Sequence, residues 1–159
     1  MSASLARRGY DVALVARDAT DLEAVAADLE IRYGAKVKYF DMDLVAEEFD
    51  APNLVERCIE ALGAVDAVFV TVGRVDDDDC GWLGSEKTRQ LMAINLVRPV
   101  EVLEAFARQF VSQGGGDMTV VTSIAAARPR PRNMVYGAAK SSLEFYARAL
   151  RHKVAGTGI

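Results

Sequence analysis

Histidine, cysteine and tryptophan are nearly absent from this chain of 159 residues, which holds one, two and one of them. A single histidine, His152, with Cys58 and Cys80 far apart and outside any CxxC spacing, leaves no plausible zinc set. No metal site is expected, and two free thiols suit a reducing compartment. Long apolar runs are missing as well. The best one, Ala61 to Gly73, carries Asp66, whereas a membrane span needs about 20 apolar residues. Arg7 and Arg8 could open a secretory signal, but Asp11 and Arg17 interrupt the apolar stretch behind them. The expected location is therefore the cytoplasm, with no membrane span. Basic excess is lacking too: 19 Lys and Arg face 23 Asp and Glu, for a net charge of −4. Nucleic acid is thus not an expected partner, since its binders show a basic face. Repeats and low-complexity tracts are absent, and 51% apolar with 26% charged residues is ordinary globular composition. Disorder, collagen and coiled coil are excluded.

What is present alternates between helix and strand. Residues 2–8 read as the end of a helix stopped by Gly9. Val12 to Ala16 and Lys36 to Phe40 are short strands. Between them Leu22, Val25, Ala26, Leu29 and Tyr33 recur at helical spacing over Ala19 to Tyr33, and Gly34 ends that helix. Asn53 to Leu62 is a helix and Ala67 to Val72 an apolar strand. Ser85 to Ser112 reads as a long helix with Pro99 inside, and Met118 to Thr122 as a strand. Arg128 to Asn133 is a proline-broken loop, and Met134 to Val154 a final helix. Strands that are apolar throughout, separated by helices, are those of a parallel sheet covered on both faces. The expectation is one α/β domain over residues 1–159 with right-handed crossovers.

The chemistry concentrates in Tyr136-Gly137-Ala138-Ala139-Lys140. Tyr136 and Lys140 stand four apart on a helix and share one face. An ammonium beside a phenol favours the phenolate, and such a phenol can give or take a proton. The alternative is a surface pair on an amphipathic helix. Ser123 ends a strand thirteen residues earlier, and ligands of parallel sheets bind beyond the carboxyl ends of strands. Asn95 lies four residues before Pro99, whose missing N–H frees the Asn95 carbonyl to hold a water. The alternative there is a tolerated kink.

In this order and spacing, Asn95, Ser123, Tyr136 and Lys140 resemble the short-chain dehydrogenase/reductase family, classical type, over nearly all of the chain. The resemblance implies a Rossmann-like doubly wound parallel sheet and hydride transfer between a nicotinamide cofactor and a carbonyl or secondary alcohol. It implies Tyr136 as general acid or base and Ser123 as holder of the carbonyl oxygen. Lys140 would tune Tyr136 and bind the nicotinamide ribose, and the Asn95 carbonyl would hold a relay water. Arg17 follows the first strand, where an arginine accommodates the 2′-phosphate of NADP. NADP(H) is thus favoured over NAD(H), while Asp18 alongside leaves NAD open. Asp43 and Leu44 match the adenine edge. The segment Asn133 to Gly137, with Gly73 in an unusual turn, also resembles the decaprenylphosphoryl-2-keto-pentose reductase-like subgroup.

Two departures stand against the family pattern. Its Asn-Asn-Ala-Gly turn is Val70-Thr71-Val72-Gly73 here. Gly73 still permits close approach to a cofactor, and Thr71 substitutes for part of the side-chain contacts. The first strand with its glycine-rich TGxxxGxG turn, and the last strands, are missing. That strand separates the segments 12–16 and 67–72 in the order 3-2-1-4-5-6, so the sheet is expected to be incomplete. A catalytically inactive remnant acting at most as an interaction module is the alternative to an enzyme.

Weaker signals lie elsewhere in the chain. Asp76 to Asp79 with Cys80 lack the spaced ligands and turn glycine of a calcium loop and read as solvated. Trp82 reads as packing over that loop. Arg128, Arg130 and Arg132, alternating with prolines between Ser123 and Tyr136, suit bidentate capture of a substrate phosphate or carboxylate. Arg128 and Arg130 are the candidates, and a solvated charged turn is the alternative. Ala93, Leu96, Val100, Leu103, Phe106 and Phe110 exceed one helical stripe, and in the resembled family such helices pair across a dimer axis. A homodimer or homotetramer is expected.

Overall fold

The computed structural model describes residues 1–75 and 82–159. The acidic run Asp76 to Asp79 and Cys80 lie outside the described residues. The chain forms two compact units, Met1–Val65 and Asp66–Ile159.

The first unit runs α1 (Ser2–Ala6), β1 (Val12–Ala16), α2 (Ala19–Tyr33), β2 (Val37–Asp41) and α3 (Ala51–Leu62). Local chemistry sets its boundaries. The Asp18 carboxylate accepts a hydrogen bond from the Asp21 N–H at 3.0 Å and starts α2. Gly34, at φ +65°, ends it in the left-handed conformation. β1 and β2 pair in parallel from Val12 opposite Val37 to Ala16 opposite Asp41. Ala6, Val12, Ala26, Leu29 and Val37 form the buried core beneath them. α3 packs against β1 and buries Leu54, Val55 and Cys58. Burial pushes the Cys58 thiol up to about 11, so at neutral pH it behaves as a small apolar side chain.

The second unit holds β3 (Ala67–Val70), α4 (Gly84–Met92), a π-helical segment (Ala93–Val97), α5 (Arg98–Gln113), β4 (Asp117–Val120) and α6 (Met134–Lys153). Two 3₁₀ turns, Ile124–Ala126 and Pro131–Asn133, lie between β4 and α6. β3 and β4 are parallel, Ala67 opposite Asp117 and Val70 opposite Val120. α5 packs on β3 and buries Leu103, Phe106 and Phe110, the last fully. Burying such a ring contributes about 2–3 kcal/mol. Gly116 makes room for it, because a Cβ there would stand 2.5 Å from the Phe110 ring.

The strands pair as two separate sheets of two, β1 with β2 and β3 with β4. This agrees with the expectation of an incomplete sheet. Three expectations need correction. The long helix 85–112 is broken by the π-helical segment, where the Arg98 N–H reaches the Ala93 carbonyl; a nearby proline without an N–H is a physical cause of such a break. Both strands of the second unit stop two residues early, since the ladder ends at Val70 and Val120 while the apolar run continues. Trp82 is not packed over a loop: it stands 95% exposed just before α4. Among the described residues no helix is long and apolar enough to cross a membrane, and no group of His, Cys, Asp and Glu could hold a metal.

Candidate active site

Two polar side chains are buried among the described residues, Asn95 and Lys140, and both belong to the second unit. Asn95 sits in the π-helical segment with no solvent exposure. Its Oδ1 accepts from the Arg74 N–H at 3.0 Å. Its Nδ2 donates to the Arg74 carbonyl at 2.8 Å and the Leu91 carbonyl at 3.0 Å. One side chain therefore ties the loop after β3 to the helix break, which makes the kink a device for positioning the 73–74 backbone.

Lys140 lies on the first half of α6 and is 2% exposed. Its Nζ donates to the Val72 carbonyl at 3.0 Å and the Val121 carbonyl at 3.3 Å, just past the ends of β3 and β4. Desolvation holds its pKa below the usual lysine value. An ammonium has three protons, so one remains after these two bonds. Nζ is 6.0 Å from the centre of the Tyr136 ring, so the pair shares a helix face as the spacing requires.

Gly73 lies between these groups. A Cβ there would stand 3.1 Å from both Asn95 Oδ1 and Lys140 Nζ. Sequence reasoning assigned Gly73 to cofactor approach alone; the structure adds a packing reason from inside the site. Gly137 acts similarly, since its Cβ would meet the Ala125 carbonyl at 3.1 Å, where α6 packs on the first 3₁₀ turn.

Ser123 does not end a strand. It lies beyond β4 and caps the first 3₁₀ turn, its Oγ accepting from the Ala125 N–H at 3.2 Å. With a lone pair engaged, the hydroxyl proton is left to donate outward. Thr71, Arg128 and Arg130 are exposed. Asn133 was missed as a candidate. It precedes α6 without capping it, and its buried Oδ1 has no hydrogen-bond partner among the described residues. Only its position just ahead of the tyrosine helix could have drawn attention to it.

The first unit presents its candidates differently. Arg17, after β1, is exposed and forms no ion pair among the described residues. Asp18 is occupied in capping α2. Asp43 is exposed and accepts from the Val45 N–H at 3.1 Å, and Leu44 is half-buried beside it.

The family described as short chain dehydrogenase matches residues 1–159. The chain belongs to the short-chain dehydrogenase family. Among curated relatives, the human 3-oxoacyl-[acyl-carrier-protein] reductase is 32% identical over 95% of this chain and 62% of its own length. An alcohol dehydrogenase from the archaeon Thermococcus sibiricus, solved with 5-hydroxy-NADP, is 27% identical with a TM-score of 0.83, over 96% of this chain and 64% of that one. A 7α-hydroxysteroid dehydrogenase solved with NADH and 7-oxo glycochenodeoxycholic acid has a TM-score of 0.89 at 18% identity, over 99% and 62% of the two chains. The short-chain dehydrogenase chain thus has a Rossmann-like α/β fold. It spans about 61% of the length of the first curated relatives it matches.

Proposed function

We propose that this short-chain dehydrogenase chain carries the catalytic residues of an oxidoreductase acting on a carbonyl or secondary alcohol with NADP(H). The observation that carries the reading is the buried Lys140 ammonium, held on the Val72 and Val121 carbonyls beside Gly73 and Asn95, 6.0 Å from the Tyr136 ring. A buried cation with a spare proton, next to a glycine where a Cβ would be tightly crowded, fits a sugar hydroxyl of a nicotinamide nucleotide. Lys140 and Tyr136 would hold that ribose, with Thr71 and Gly73 along the same edge, and Arg17, Asp43 and Leu44 would serve the adenosine end. When bound, the nicotinamide supplies or accepts the hydride.

The chain's own residues handle the oxygen and its proton. Ser123, its lone pair engaged by the Ala125 N–H, donates to the substrate oxygen and orients it. Tyr136 gives the proton in reduction and takes it in oxidation. The Lys140 ammonium shares the helix face with that phenol and places a positive charge near it. The Asn95 carbonyl, facing a proline that has no N–H, holds a water that passes the proton outward. NADP(H) over NAD(H) is supported by Arg17, exposed just after β1, and by Asp18, whose carboxylate accepts from the Asp21 N–H. The reading treats residues 1–159 as one Rossmann-type domain, working as a homodimer or homotetramer on a small-molecule substrate.

The test is oxidation of NADPH by a panel of ketones and aldehydes, with Tyr136→Phe as the partner measurement. Loss of the phenol should lower kcat by about 10²- to 10⁴-fold, the span of general acid catalysis. A variant as active as the parent would overturn the assignment.

A further inference from the structure

The segment between Asp117 and Glu144 contains no acidic residue, in a chain whose net charge is −4. It does contain Arg128, Arg130, Arg132 and Lys140, together with Ser123 and Tyr136. The three arginines are exposed, and none has a carboxylate partner among the described residues. Five other arginines, Arg32, Arg89, Arg98, Arg108 and Arg148, each pair with a glutamate or aspartate three or four residues away on their own helix. Arg7, Arg8, Arg17, Arg57 and Arg151 also form no ion pair among the described residues, but three such guanidinium groups fall within five residues only at 128–132, where the candidate tyrosine helix begins.

Their loop is also stiff. Pro129 and Pro131 fix their own φ angles and hold the preceding residues extended; Arg130 sits at φ −133°, ψ 139°. The loop starts from the Ile124–Ala126 turn, where the Ala127 and Arg128 N–H groups both reach the Ile124 carbonyl. It ends in the Pro131–Asn133 turn that leads into α6. A stiff loop loses less conformational freedom when its side chains close on a ligand. Planar guanidinium groups match carboxylate and phosphate oxygens in pairs.

We infer that the substrate carries an anionic group, a carboxylate or a phosphate ester, which Arg128, Arg130 and Arg132 hold while its carbonyl or alcohol faces Ser123 and Tyr136. The inference rests on the proposed oxidoreductase reading and adds the substrate class. Cations without local acids attract such a substrate over a distance set by ionic strength, so the preference weakens as salt rises.

The test uses the full chain with NADPH and matched pairs. These are 2-, 3- and 4-keto acids against their methyl esters, and dihydroxyacetone phosphate against dihydroxyacetone. For at least one pair the anionic member should have the higher kcat/KM. The triple variant Arg128→Met, Arg130→Met, Arg132→Met should lower that anionic-to-neutral ratio by about 10- to 100-fold, as expected for charged hydrogen bonds. Which pair responds distinguishes carboxylate from phosphate. A ratio unmoved by the triple variant, or a neutral member preferred in every pair, would overturn the inference while leaving the oxidoreductase reading intact. If neither member of any pair is turned over, that reading fails on its own. Calorimetric titration with the same compounds then decides the clamp: anion binding lost in the triple variant supports it, and equal binding in both proteins sinks it.

Discussion

The two units handle polar residues in opposite ways. In Met1–Val65 the candidate binding residues Arg17 and Asp43 are exposed, on loops after strands, and the contacts of Asp18 and Asp43 are local, to Asp21 and Val45. The long-range hydrogen bond of this unit from the Lys36 N–H to the Asp11 carboxylate is exposed. In Asp66–Ile159 two polar side chains are buried and reach far along the chain. Asn95 bonds the backbone of Arg74, and Lys140 bonds the carbonyls of Val72 and Val121. An exposed arginine meets a ligand charge at little folding cost, but water and salt weaken it. A buried ammonium costs desolvation, which its carbonyl partners offset, and it then acts in a less screened setting. The first arrangement suits recognition and the second suits catalysis.

The strongest break of this comparison is Asn95→Ala. It removes three hydrogen bonds, two of them to the part-buried backbone of Arg74 and one to the Leu91 carbonyl. Unfolding free energy from urea titration should fall by about 2–4 kcal/mol. A loss under about 0.5 kcal/mol would mean that the buried polar cluster does not hold the second unit together. Next comes Arg17→Ala in the first unit. NADPH affinity should weaken about tenfold while NADH affinity and the urea midpoint stay unchanged. Equal weakening of both cofactors would move the phosphate contact elsewhere.

The smallest effect concerns the buried thiol of the first unit. Cys58 titrates at about 11 rather than 9.0 because burial disfavours its thiolate. The folded state therefore keeps a proton that the unfolded chain has lost. Stability should be unaffected below pH 9 and fall between pH 9 and 11. Cys58→Ala should flatten that part of the profile when denaturation midpoints on either side of about pH 9 are compared. An unchanged slope would show that the thiol does not set it.

Much of this was readable residue by residue. β1 and α2 occupy the expected segments because their ends are written locally, in Asp18 and Gly34. The strand ends after Val70 and Val120 were not, because an apolar run does not mark where a partner strand stops offering hydrogen bonds. The π-helical segment was masked by continuous apolar periodicity, with Pro99 as its one sign. At the site, the spacing of Tyr136 and Lys140 followed from helix geometry. The role of Gly73 did not, since it depends on Asn95 and Lys140, which are distant in sequence.

By itself, then, the amino-acid order determined the alternation of helices and strands and put Tyr136 and Lys140 on one helix face, because periodicity, capping and i to i+4 spacing act over a few residues; Asn95 and Ser123 joined them as a catalytic set through the family resemblance. Tertiary structure alone decided that Lys140 ends on the carbonyls of residues 72 and 121, that Asn95 clamps residue 74, and that a side chain at Gly73 would crowd both. Those outcomes depend on which carbonyls lie within about 3 Å of a buried donor, and the return of a chain over 68 residues between Val72 and Lys140 is set by packing rather than by any local pattern.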